Sequence, residues 1–128
     1  MRLVTPPILA GKKVLIVEDE LLVALLIEEF LDQLGCSILG PCASVAKALA
    51  AAQSERFDLA VLDVNLAGEK VYPVADVLVE RHIPFLFLSG YGEEAIPAGH
   101  RDWKVCTKPF KADVLATMMS AALESVPH

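Results

Sequence analysis

The chain has 128 residues, a formal net charge of −6 and a hydrophobic share of 55%. That length suits one domain, and that apolar share supports a sizeable core rather than a disordered chain. The negative balance argues against a nucleic-acid partner, because phosphate contacts need a basic face. No apolar run approaches the roughly 18 residues of a membrane span, and the first residues lack the long apolar stretch of a secretory signal.

The three cysteines, Cys36, Cys42 and Cys106, are odd in number, and their spacing fits no zinc or redox motif. Small reduced core residues are the simplest interpretation. We therefore expect a cytoplasmic protein, in which thiols stay reduced.

The first half of the chain begins with a predicted loose leader, residues 1–11, punctuated by Pro6, Pro7 and Gly11. The predicted domain, residues 12–128, opens with the apolar run KVLIV (13–17), typical of a strand buried on both faces. Residues 20–34 predict a helix that ends at Gly35. Residues 36–40 predict a weaker strand, and Ser44 is placed to cap a helix that runs to residue 53.

The second half continues the alternation of strands and helices. DLAVLD (58–63) and PFLFLS (84–89) predict strands on either side of a helix over 72–81, which has Pro73 in its first turn. KVCT (104–107) predicts a short last strand, and 111–125 the last helix. The intervening segment 90–102 holds three glycines and a proline, so we expect a helix there to be short, distorted or replaced by a loop.

Five strands that alternate with helices over short connections predict an α/β fold: three layers with a doubly wound parallel sheet. Sites in such sheets form at the carboxyl ends of the strands, which makes the residues directly after each strand informative. Those residues are Glu18, Asp19, Asp63, Ser89 and Lys108.

The three acids among these residues would repel one another if they came together at one point. Two carboxylates about 4 Å apart repel by roughly 4 kcal/mol at an effective dielectric constant near 20. A divalent cation between Glu18, Asp19 and Asp63 would offset that repulsion, and hard oxygen ligands suit magnesium. Taken singly, each acid also fits a structural role, at a helix N-terminus or in a turn.

The segments VLIVEDE, VLDVNLAG, FLSG and TKPF, in this order and spacing, resemble the receiver domain of two-component response regulators. The resemblance extends from about Lys12 to Val126. It implies a flavodoxin-like sheet with strand order 2-1-3-4-5. It also implies a cis peptide bond between Lys108 and Pro109.

The same resemblance implies roles for the residues at the strand ends. Asp63 corresponds to the phosphoacceptor. Glu18 and Asp19 correspond to the acidic pair that holds Mg²⁺ together with Asp63, and the backbone carbonyl of Asn65 would be a further ligand. Ser89 and Lys108 correspond to the hydroxyl and the lysine that bind the phosphoryl group.

One position departs from the common receiver pattern. The fifth strand usually carries an aromatic residue that swings inward on activation, and Val105 stands there. Residues 87–91 partly match a subgroup with a Phe-Ala-Thr-Gly-type strand end followed by a tyrosine. Tyr91 is accordingly our expected switch residue, with a simple covering role at the core edge as the alternative.

We therefore expect a single-domain response regulator with Mg²⁺-dependent phosphorylation and autodephosphorylation of Asp63, and no other enzymatic activity. The expected donor is a histidine kinase or a histidine phosphotransfer protein. Signalling would proceed by protein contact, from a monomer or weak dimer, without nucleic acid or membrane. Leu21 and Leu25 would form a partner surface on the first helix, although isolated exposed leucines are normal.

Other functions remain open at this point. A receiver fold that binds partners without phosphate is the main alternative, because Val105 breaks the usual switch. A magnesium phosphohydrolase of the haloacid dehalogenase type would carry its nucleophile on the first strand, and a flavodoxin-like flavin binder would not place acids at its phosphate loop.

Overall fold

A computed structural model describes residues 7–91, 96, 97, 99 and 103–125. Its strands are β1 Lys13–Val17, β2 Ser37–Cys42, β3 Leu59–Asp63, β4 Asn65–Leu66, β5 Glu69–Lys70, β6 Phe85–Ser89 and β7 Val105–Thr107. Five of them form one parallel sheet in the order β2-β1-β3-β6-β7, while β4 and β5 form a separate antiparallel hairpin. The expected doubly wound sheet and its strand order are confirmed.

The helices are α1 Leu21–Gln33, α2 Val45–Ser54, α3 Tyr72–Glu80 and α4 Ala112–Glu124. The buried faces of α1 and α4 pack on one side of the sheet, and those of α2 and α3 pack on the other. Ser44 caps α2 as expected, since its Oγ accepts a hydrogen bond from the Lys47 amide at 3.2 Å. Within the described residues, no helix combines the length and the apolar character needed to cross a bilayer.

The central strands supply both cores because successive side chains on a strand point to opposite faces. In β1, Val14 and Ile16 belong to the core under α1 and α4, whereas Leu15 and Val17 belong to the core under α2 and α3. All four side chains are fully buried. The apolar runs without alternation are therefore explained by a sheet that is covered on both faces.

In the structure, residues 7–11 of the predicted leader pack against the domain, and the boundary of the leader stays a prediction. Pro7–Leu9 form a short 3-10 helix, and Leu9 is fully buried in the core. The Cys36 thiol donates to the Leu9 carbonyl at 3.4 Å, and the Gly11 amide donates to the Gly35 carbonyl at 3.0 Å. Prolines marked this segment as irregular, but its apolar residues still find a place beside α4. Residues 1–6 lie outside the described residues.

Strand β2 runs two residues further than expected, through Gly40 and Pro41 to Cys42. Its pairing with β1 shifts register between Leu15 and Val17. Proline is tolerated here because β2 is an edge strand, with one side free of ladder hydrogen bonds. Gly40 has a φ of +98°, and a Cβ at this position would lie 2.7 Å from the Ile16 carbonyl oxygen.

The expectation of a short or missing helix over 90–102 concerns mostly residues 92–95, 98 and 100–102, which lie outside the described residues. It stays a prediction.

Candidate functional site

Three carboxylates meet at the carboxyl edge of the sheet. Glu18 and Asp19 directly follow β1, and Asp63 is the last residue of β3. Each of the three side chains offers an oxygen within 4.8 Å of the others. Glu18 and Asp63 are buried, whereas Asp19 is exposed. Adjacent parallel strands end at the same edge, which explains why residues so distant in sequence converge.

Lys108 supplies the positive charge of the cluster. Its Nζ lies 3.3 Å from Asp63 Oδ1 and 3.5 Å from Glu18 Oε2. The Lys108 amide donates to the Ser89 carbonyl at 2.8 Å, which ties the end of β7 to the end of β6. The peptide bond between Lys108 and Pro109 is cis, as the resemblance implies.

Burial and charge set the protonation of this cluster. Burial raises the pKa of Glu18 to about 7, and the Asp63 carboxylate adds to that rise. The Glu20 amide, 3.1 Å from Glu18 Oε1, and the Lys108 ammonium oppose it only in part. For Lys108, burial alone would lower the pKa, but the Asp63 and Glu18 carboxylates outweigh burial and raise it. Lys108 is therefore charged at neutral pH, and Glu18 takes up a proton more readily than an exposed glutamate does.

The donor set fits a hard divalent cation. Three carboxylates around one point are the oxygen ligands that magnesium prefers, and a cation between them would remove their mutual repulsion. Asp19 is held in place for this role, because its Oδ2 accepts a hydrogen bond from the Ala67 amide at 3.0 Å. Asn65 lines the adjoining cleft, and the metal-ligand role of its carbonyl stays a prediction.

A cleft of about 540 Å³ opens beside the cluster. Ser89, at the end of β6, is buried in its wall, and its Oγ accepts a hydrogen bond from the Tyr91 amide at 3.0 Å. The charged and polar residues that line it are Glu20, Asp63, Asn65, Lys70, Tyr72, Ser89, Tyr91 and Lys108, while Glu18 and Asp19 lie beside it in the acidic cluster. The structure thus brings Ser89 and Lys108 to the same place as Asp63.

The sequence does not predict the β4–β5 hairpin, which begins two residues after Asp63 and contributes Lys70 to the cleft. The available signal was the pair Ala67-Gly68, which adopts φ values of +51° and +86° and makes a two-residue turn. The residues of this segment predict a turn, but strands of two residues are too short to show a period.

The proposed partner surface and switch residue are both accessible. Leu21 and Leu25 are 69% and 49% exposed, and Leu22 and Leu26, which the sequence reasoning passed over, are exposed beside them. Tyr91 is 80% exposed at the rim of the cleft. The segment that precedes β7 holds Trp103, which packs against Phe85 and Phe87.

A family model for the response regulator receiver domain matches residues 14–120 of this chain. The solution structure of SdrG from Sphingomonas melonis Fr1 is 41% identical with a TM-score of 0.77, over 91% of this chain and 98% of that one. A second structure shows the BeF3-activated conformation of SdrG from Pseudomonas melonis Fr1, again 41% identical, with a TM-score of 0.75, over 89% of this chain and 98% of that one.

The receiver domain of the PhyR response regulator from Erythrobacter litoralis is 30% identical, with a TM-score of 0.81, over 94% of this chain and 96% of that one. The phyllosphere-induced regulator PhyR of Methylorubrum extorquens is 29% identical over 116 residues, which cover 87% of this chain. The match spans 43% of that regulator, so this chain corresponds to less than half of its curated relative.

Proposed function

This chain belongs to the response regulator receiver domain family, and on that premise we propose that Asp63 accepts a phosphoryl group in two-component signalling. The donor is a phosphohistidine on a histidine kinase or a phosphotransfer protein. The observation that carries this proposal is the Asp63 carboxylate at 3.3 Å from the Lys108 ammonium, inside a cluster of three acids at the sheet edge.

The reaction requires positioning and charge neutralisation more than bond-making machinery. An oxygen of Asp63 attacks the phosphorus, the P–N bond of phosphohistidine breaks, and the histidine nitrogen leaves with that electron pair. Lys108 neutralises negative charge on the phosphoryl oxygens. Mg²⁺ held by Glu18, Asp19, Asp63 and the Asn65 carbonyl would supply further charge neutralisation. Water later attacks the acyl phosphate and releases inorganic phosphate.

Ser89 and Tyr91 read the phosphorylated state. The Ser89 Oγ accepts a hydrogen bond from the Tyr91 amide, and this leaves the hydroxyl hydrogen of Ser89 available for donation to a phosphoryl oxygen. A shift of Ser89 toward the phosphoryl group would move Tyr91, which takes the role that Val105 cannot fill. We expect Tyr91→Ala to preserve phosphorylation while weakening the binding of a partner that prefers the phosphorylated form.

Output then passes through protein contact, from a monomer or weak dimer. The leucines that α1 exposes suit a partner helix, with Leu21 and Leu25 as the expected contacts. All three cysteines are free thiols, two of them buried, which supports a cytoplasmic location.

A phosphate-independent binding module is the alternative that Val105 favours, and one experiment separates it from the proposal. Incubation with acetyl phosphate and Mg²⁺ should add the mass of one phosphoryl group to the intact protein. Asp63→Asn should abolish that addition, whereas Asp76→Asn, on the exposed surface of α3, should not. An unmodified wild-type protein would favour the phosphate-independent module.

A further inference from the structure

The β4–β5 hairpin brings a second lysine to the cleft that holds Asp63. Lys70 pairs directly across the hairpin with Asn65, and opposed residues of two strands present their side chains on the same face. Both residues line the cleft. Leu66 belongs to the other face of the hairpin and is buried in the core. The hairpin therefore has a core side and a cleft side, and Lys70 is on the cleft side.

The hairpin is fixed at both of its ends. At its base, the Val71 amide donates to the Val64 carbonyl at 3.0 Å. At its tip, Ala67 and Gly68 adopt the left-handed conformations of a tight two-residue turn, which sets the pairing register. The Ala67 amide also donates to Asp19 Oδ2 at 3.0 Å. The backbone that carries Lys70 is thus tied to the acidic cluster itself.

The two lysines at the cleft differ in their contacts with carboxylates. Lys108 is engaged by Asp63 and Glu18, within 3.5 Å of both. Within the described part of the chain, no carboxylate forms an ion pair with Lys70. The chain as a whole carries a formal charge of −6, and the exposed Glu20 lines the same cleft, so the charge of Lys70 would offset part of the repulsion that an anionic phosphoryl donor meets there.

We propose that Lys70 is a second phosphate-facing cation, which draws the anionic phosphoryl donor into the cleft and steadies its oxygens opposite Lys108. This inference rests on the proposed phosphorylation of Asp63. It adds a residue from the hairpin, beyond the set that the strand ends supply. Because Lys70 is exposed and flexible, it acts on the approach of the donor and not on the nucleophile.

A cation in this position has opposite effects on the two ligands of the site. It attracts the phosphoryl donor, and it repels Mg²⁺. Removal of its charge should therefore slow phosphorylation and strengthen Mg²⁺ binding at the same time. A substitution that merely loosened the hairpin would weaken both, because the hairpin also holds Asp19.

The experiment measures the second-order rate constant of phosphorylation by acetyl phosphate, from the intact mass, at low ionic strength and saturating Mg²⁺. We expect Lys70→Gln to lower this rate constant about fivefold and Lys70→Glu about 25-fold, from the Coulomb energy of a dianion in water. Lys70→Arg should stay within about twofold of wild type, and the effect of Lys70→Gln should shrink in high salt. Mg²⁺ affinity, measured by titration calorimetry, should rise in Lys70→Gln.

The matched control is Lys104→Glu. Lys104 is an exposed lysine just before β7, at the amino ends of the strands, whereas Asp63 lies at their carboxyl ends. The substitution should change the rate constant by less than about twofold. Equal rate constants for wild type and Lys70→Gln would overturn the role of Lys70 while leaving Asp63 phosphorylation intact. A decrease in Lys104→Glu as large as the decrease in Lys70→Glu would do the same. A wild-type protein that gains no phosphoryl group would overturn both.

Discussion

Burial makes Glu18 easier to protonate than an exposed glutamate, and this affects its binding of a metal ion. Its side chain is fully buried between Lys108 and Asp63, and burial raises its pKa to about 7. The group therefore holds a proton in the same pH range in which the protein would take up a metal ion. Metal binding requires the deprotonated carboxylate, so Mg²⁺ and the proton compete for this residue.

The pH dependence of Mg²⁺ affinity follows from this competition. Below pH 7 Glu18 is mostly protonated, so we expect the association constant to rise with pH, by up to about tenfold per pH unit, and to level off above 7. Titration calorimetry at a series of pH values measures it. Glu18→Gln should bind more weakly and without this rise. A wild-type affinity that is flat on both sides of pH 7 would contradict a metal-ligand role for Glu18.

At the scale of elements, β2 is the strand whose path depends most on one residue. Gly40 has a left-handed φ, and its backbone passes so close to Ile16 that a Cβ would lie 2.7 Å from the carbonyl oxygen. This close approach accompanies the register shift between β1 and β2. Because Glu18 and Asp19 directly follow β1, the packing of β2 against β1 affects the positions of these two acids.

Two glycine substitutions separate the steric contact from the backbone conformation. Gly40→Ala should lower the free energy of unfolding by roughly 3 kcal/mol, from a strained φ and an overpacked contact together. Gly11→Ala is the matched control, because its φ is +77° but nothing lies within 4 Å of the added Cβ. It should cost about 1 kcal/mol, the strain alone. Equal losses in urea denaturation would contradict a steric constraint at Gly40.

The elements that could be predicted from the sequence are those whose signal lies within one short segment of the chain. The apolar runs KVLIV and FLFLS predict buried strands, and Ser44 predicts the start of a helix through its capping side chain. The short hairpin after Asp63 and the burial of Leu9 could not be predicted in this way. Both depend on partners that are distant in sequence: Asp19 for the hairpin tip, and the core beside α4 for Leu9.

At the scale of the whole molecule, the strand order is what builds the site. The ends of β1, β3, β6 and β7 lie along one edge, so acids, a hydroxyl and an ammonium from four separate segments meet at one site. This convergence was predictable, because parallel sheets of this topology gather the strand ends. The raised pKa of Glu18 was not, because it depends on how deeply the side chain is buried after all layers have packed.

We propose that Asp63, and no other acid of the cluster, receives the phosphoryl group. The most direct measurement is peptide mapping of the phosphorylated protein after borohydride reduction, which converts an acyl-phosphorylated aspartate into a homoserine of altered mass. We predict that residue 63 alone is converted, and that prior omission of Mg²⁺ suppresses the conversion. Conversion at Asp19, or at no aspartate in a protein that has gained phosphate, would contradict the role of Asp63 as the phosphoacceptor.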